Sequence, residues 1–183
     1  MSAPHLRSPD VSERRREWGT VGDNEIRLDH ESAAAVVDDL NHCLSGLYIL
    51  FNQLRKHAWT VAGAESHQIE GRLEDNADTL SDLTDELAIR VHALGGVPVN
   101  GPKGIRQHAP MRIEAGDVYS LRDALQNDLE GYATLAVGFR EAIETARAVG
   151  DERTVESLES GLLRIEGDAH TVERYLGDDS LTD

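Results

Sequence analysis

The 183-residue chain is long enough for one domain with a well-buried core, and 39 % hydrophobic but only 4 % aromatic content favours aliphatic helix packing over a β-sandwich. Lysine plus arginine total 18 against 34 acidic residues, a formal net charge of −16 that repels free nucleic acid and anionic membrane surfaces. No apolar run reaches membrane-spanning length, no apolar signal core opens the chain, and Cys43 has no second cysteine to pair with, so a reducing cytoplasm is expected. An acid-rich chain whose only lysines are Lys56 and Lys103 also suits a cytoplasm of very high salt, where repulsion between surface charges is screened within a few Å.

Residues 1–27 combine Pro4, Pro9, Gly19 and Gly22 with polar residues and carry no helical stripe, which predicts a flexible tail ahead of a bundle over 28–183. Arg14, Arg15 and Arg16 stand together in it. The tail's arginines (Arg7, Arg14, Arg15, Arg16, Arg27) are matched by Asp10, Glu13, Glu17, Asp23 and Glu25, so the net charge lies in the body and weighs against DNA binding.

The first helix is predicted to start after Asp29 or Ser32 and to run to about Trp59, with Val36, Val37, Leu40, Leu44, Leu47, Leu50, Phe51 and Leu54 inward and Cys43 a buried, inert thiol among them. Val61 to Ser66 reads as a turn. The second helix carries one apolar stripe through Ile69, Leu73, Ala77, Leu80, Thr84, Leu87, Val91 and Leu94, and ends where Gly95 and Gly96 supply a C-cap and Pro98 prevents resumption. At about 100° per residue from Ile69, His67, Glu70, Glu74, Asp85 and His92 fall at roughly 100° to 160°, a polar ridge beside the seam. Carboxylates and imidazoles so placed are the material from which helical bundles build metal sites; a solvated acidic face is the plainer account of each residue alone.

Residues 97–116 hold Pro98, Pro102, Pro110 and three glycines, a long crossover loop with room for a short helical turn near Ile105. A third helix follows from near Asp117 to Val149 and a fourth from its cap Asp151, its apolar residues Val155, Leu158, Leu162, Ile165, Ala169, Val172 and Leu176 alternating by three and four. The fold expected is all-α, a four-helix bundle with one long crossover between its second and third helices, the ferritin-like arrangement. There is no GxGxxG, GxxxxGK[ST], HExxH or CxxC, and no ExxH, the pairing that marks a di-iron site inside a single bundle. Glu166, His170 and Glu173 share one face of the fourth helix, read first as surface charge and second as an accessory or pore-lining metal site.

Over about residues 28–180 the chain resembles the Dps-type miniferritins, most of all their acidic branch from halophilic archaea. The segments that carry the resemblance are LYILFNQLRKHAWTVAGAE, DELAIRVHALGGVP, DVYSLRDALQNDLEGY and LRIEGDAHTVERYLGDD, with LGGxP at a fixed distance after WxVxG the most specific. The resemblance implies a homo-oligomeric, dodecameric cage with iron sites at a two-fold subunit interface made from the first two helices. It also implies Fe(II) oxidation by peroxide and storage of ferric mineral, which amounts to iron sequestration and protection from oxidative stress. It further implies ligands at five positions, here Ala58, Glu70, Glu74, Asp85 and Ile89. Asp85 is unchanged, Glu70 and Glu74 are carboxylates where the family has His and Asp, and Ala58 and Ile89 replace a His and a bridging Glu. The residues that could still hold iron are Glu70, Glu74 and Asp85, aided by His67 or His57, with histidines free of metal as the plainer account of the last two. Three readings stay open: a weakened or rebuilt ferroxidase, an inactive cage subunit that co-assembles with an active paralogue, and a DNA-compacting protein that uses its Arg tail.

Overall fold

A computed structural model describes residue 12 and residues 14–63, 66–114 and 116–177. Five helices follow in order: α1 (His30–Thr60), α2 (Ser66–Ala93), α3 (Gly101–His108), α4 (Leu121–Ala148) and α5 (Glu152–Leu176). No strand occurs among the described residues. The four long helices are those expected, and the crossover holds a complete eight-residue helix, α3, where the sequence predicts only a turn near Ile105. Its start is set by Asn100, whose side chain accepts from the Gly101 amide, and by Pro102, whose missing N–H costs nothing in a first turn.

Caps place the other boundaries. Asp29 accepts from the Ser32 amide, so α1 begins directly after it, and Asp151 accepts from the Thr154 amide at the start of α5. Ser120 caps α4 through the Asp123 amide, which delays that helix four residues past Asp117. At the end of α2, Gly95 adopts φ +85°, its N–H reaches His92 O at 3.0 Å and the Gly96 N–H reaches Val91 O at 2.9 Å. That left-handed, doubly bonded ending is a Schellman cap, which only glycine enters without strain.

α1 packs against α2 and α4, α5 packs against α4 and α2, and α3 rests on α1. The order of cross-helix contacts makes α1 antiparallel to α4, as Cys43 lies near Gly138 while His57 meets Asp128. α2 runs antiparallel to α5, as Arg90 meets Asp151 while Gln68 meets Tyr175. The long crossover is therefore required, because it joins the parallel, diagonal pair α2 and α4. The core between them is aliphatic, with Leu40, Leu44, Leu47, Leu50 and Leu54 of α1 fully buried against Leu73, Leu80, Leu87, Leu135 and Phe139. Each such side chain contributes about 1.5–3 kcal/mol.

Residues 14–28, most of which fall within the expected tail, lie across the end of α2. The Gly22 N–H donates to Gly95 O at 2.9 Å, Arg16 donates to Gly96 O, His30 donates to Val21 O, and Val21 and Leu28 pack on the core. Residues 1–11 and 13 of that tail lie outside the described residues.

Candidate metal centre

Histidine and carboxylate side chains occupy two regions, a buried cluster that joins α1, α4 and the crossover and an exposed row along α2. The buried one is organised by Asp128, which stands on α4 at a position its apolar stripe of Leu125, Tyr132 and Leu135 would otherwise fill. Asp128 is 0 % exposed. His57 of α1 directs Nδ1 at both of its carboxylate oxygens, 2.9 Å away, and Gln53, one turn earlier, donates to Oδ1 at 2.9 Å. On its other side the His57 ring directs Nε2 at Glu114 of the crossover, at 3.0 and 3.1 Å. Lys56 and Asn127 also donate to Glu114.

A carboxylate on each ring nitrogen favours the protonated ring, in which both nitrogens donate. Burial alone pushes the His57 pKa down, but the hydrogen bond and charge of Asp128, then those of Glu114, hold it above 6.5. Burial raises Asp128, partly offset by His57, and Glu114 is held below its ordinary range because Lys56, Asn127 and His57 outweigh its burial. With the ring protonated, two cations and two carboxylates balance within one network. Chemically it is a clamp that ties the crossover to α1 and α4. Every ring nitrogen of His57 is used inside the subunit.

The exposed group is the ridge of α2. His67, Glu70, Glu74, Asp85 and His92 are all exposed, on the face of α2 that turns toward α1 and away from α5. Asp85 lies close enough to Tyr48 of α1 to reinforce the burial-driven rise of that phenol's pKa. The structure does not bring these residues together within one subunit: eleven residues of helix place Glu74 and Asp85 about 16 Å apart, and His57 faces the opposite side of α1, toward α4. Among the described residues no three His, Cys, Asp or Glu side chains converge to hold a metal ion within one chain.

The other candidates resolve simply. On α5, Glu166 pairs with Arg140 at 2.5 Å and His170 with Glu173 at 3.3 Å, exposed pairs of the surface kind. Cys43 is buried, and burial pushes its thiol up to about 12, far from a reactive thiolate. No helix among the described residues is long and apolar enough to cross a membrane.

The family model for the ferritin-like domain matches residues 37–182. This chain belongs to the ferritin-like family. Within it the chain is a Dps homologue. A DNA protection during starvation protein of Halobacterium salinarum is 41 % identical over 160 residues, covering 87 % of this chain and 88 % of that protein. A nutrient stress-induced DNA-binding protein of Synechococcus is 29 % identical over 164 residues, covering 90 % and 93 %. Among solved structures, an archaeal Dps homologue from Halobacterium salinarum superposes with a TM-score of 0.89 at 40 % identity, covering 93 % of this chain and 96 % of that one. DpsC from Streptomyces coelicolor reaches the same TM-score at 26 % identity, covering 93 % and 100 %.

In this Dps homologue the residues that sequence reasoning passed over are Glu114, Asp128, Gln53 and Asn127. One signal was available: Asp128 interrupts an apolar stripe, and a charge at a core position requires a partner. Glu114 carried no such signal, since only the path of the crossover brings it to His57.

Proposed function

We propose that this Dps homologue assembles into a hollow cage that takes up Fe(II) as substrate, oxidises it at an inter-subunit carboxylate site, and retains the ferric product, so limiting peroxide damage. The observation that carries the reading is the exposed α2 ridge in a chain of this family. Glu70 and Glu74 at one end and Asp85 at the other are hard oxygen donors suited to iron, and their separation along one helix means that a site needs both ends supplied by different subunits. His67, one turn before Glu70, is the imidazole nearest that cluster. His57 is left out of the proposal because its ring is engaged within the subunit. In the oxidation each of two Fe(II) ions gives one electron to one peroxide; the carboxylates hold the ions and favour the ferric state. Ala58 and Ile89 offer no ligand, so binding is weaker and turnover slower than five ligands would give.

The test is addition of Fe(II), then peroxide, to the purified assembled protein, with the ferric absorbance followed in time. The expected result is a rate above the protein-free control that falls roughly tenfold in Asp85→Ala and in Glu74→Ala. A wild-type rate equal to the control overturns the reading and leaves an iron-inert cage subunit.

The names of the relatives favour a second activity, DNA binding. Against it, Arg14 pairs with Glu17 at 2.7 Å and Arg16 is turned onto the end of α2. A gel shift at low salt that disappears on deleting residues 1–27 would support it, and no shift would reject it.

A further inference from the structure

Leu83 of α2 and Phe139 of α4 both close on Gly161 of α5, an apolar layer of the core. α2 and α4 run parallel to each other and antiparallel to α5, so seven residues back along the first two and seven forward along α5 reach one common level, about two turns away. Asn76, Tyr132 and Asp168 stand there. Asn76 is 1 % and Tyr132 0 % exposed, yet the Asn76 Nδ2 and the Tyr132 hydroxyl have no hydrogen-bond partner. Nor do the buried Oδ2 of Asp168 and the buried Nε of Arg164, one turn earlier on α5, whose Nη2 is taken up by Glu86 at 2.8 and 2.9 Å. Asn76 reaches toward the phenol without the geometry of a full hydrogen bond, and the phenol feels the charge of Asp168. Among the described residues these are the buried side-chain atoms left over, and they lie together on three helices, whereas nearly all such atoms in a folded core are paired.

The chemistry of the four atoms selects what they bind. Burial and then the Asp168 charge push the Tyr132 phenol well above its ordinary pKa, so it keeps its proton and donates. Burial, opposed by Arg72 and Arg164 and reinforced by Asp75, raises Asp168 only to about 6, so at neutral pH it accepts. Asn76 Nδ2 and Arg164 Nε are donors. Three donors beside one carboxylate oxygen do not suit a metal ion, which the donors and the Arg164 charge repel, or an anion, which Asp168 repels. A small neutral molecule that both accepts and donates satisfies them all. We propose that Asn76, Tyr132, Arg164 and Asp168 form an internal water site between α2, α4 and α5. One water accepts from Tyr132 and Asn76 and donates to Asp168, and a second spans Arg164 and Asp168. Each then has at least two of the two to four polar partners that a buried water needs. The site pins α5 to α2 and α4 far from the Arg90 and Asp151 pair. It stands one turn along α4 from Asp128, so the buried polar groups of α4 are met by α1 on one side and, through water, by α5 on the other.

Two measurements on the full chain decide this, and the first needs no variant to fold. A crystal structure of the wild-type protein at a resolution that places water should show an ordered water within hydrogen-bond distance of both Tyr132 Oη and Asp168 Oδ2. A Tyr132 hydroxyl bonded directly to Asp168 or to Asn76, or a dry contact between them, overturns the site. The second is a double-mutant cycle read by urea unfolding of Tyr132→Phe, Asp168→Asn and their combination. Groups bridged through water are coupled, because removing either one empties the bridge. The midpoint of the double variant should therefore lie above the value to which the two single shifts add. Shifts that simply add mean that no bridge joins the two side chains, and overturn the inference.

Discussion

The imidazole of His57 and the carboxylate of Asp128 meet at 2.9 Å inside the bundle, with 4 % and 0 % of their surfaces exposed. This contact joins α1, on which α3 of the crossover rests, to α4, where the crossover ends, and Glu114 on the other side of the ring extends it to the crossover itself. A histidine that the sequence offers as a metal ligand is in the folded chain the centre of a structural clamp.

Removing the ring should therefore cost stability and leave metal binding alone. His57→Ala strands a buried Asp128 without its cation, for which the expected loss is about 3–5 kcal/mol, read as a lower denaturant midpoint. Asp128→Asn in the same background should recover part of it, because no charge is then left unpaired. Metal binding that falls in His57→Ala while fold and assembly are intact would contradict this assignment.

The clamp also sets a pH dependence. His57 has a folded pKa above its ordinary 6.5, so its contribution is complete below that ordinary value and is lost as pH rises through the folded one. Asp128, raised mainly by burial, acts in the same direction. Glu114 and Asp151 are held low, the latter because Arg90 and Thr154 outweigh its burial, and they lose stability as pH falls through their depressed values. Unfolding free energy should thus decline on both sides of a maximum. The alkaline decline should flatten in His57→Gln, and an unchanged slope would show that His57 is not its source.

At the end of α2, a Cβ on Gly95 would stand 2.3 Å from Gly22 O, on a residue with φ +85°. Gly95→Ala should cost about 1–2 kcal/mol in backbone strain and release residues 14–28 from the helix end. Limited proteolysis should then cut that segment faster than in the wild type, with the bundle intact. Equal cleavage rates would mean that the Gly22 contact holds nothing in place.

A net charge of −16 predicts a dependence on salt. At 1 M KCl the screening length falls to about 3 Å, so repulsion among exposed acids such as Glu70, Glu74 and Asp85 is largely removed. The melting temperature should rise from low to multimolar KCl, and Arg90 with Asp151, partly buried, should contribute little to the change. Equal stability at both extremes would remove the high-salt adaptation.

The sequence by itself determined the four long helices, their inward faces and the boundaries at Asp29, Asp151 and Gly95, though not the Ser120 cap of α4, because apolar spacing of three and four and those residues act within a turn or two of where they stand. It also determined the α2 ridge and, through LGGxP and its companions, the family. Only the tertiary structure decided where His57 points. Its neighbours in the chain are the same whether it faces α2 or α4, and the choice was made by a carboxylate 71 residues away together with a crossover whose path no local rule prescribes. The same holds for residues 14–28: their Gly and charge content reads as a tail, yet bonds to Gly95 and Gly96, remote in sequence, draw them onto α2. Local spacing sets what an element is; the pairing of buried polar groups across distant elements sets where it docks.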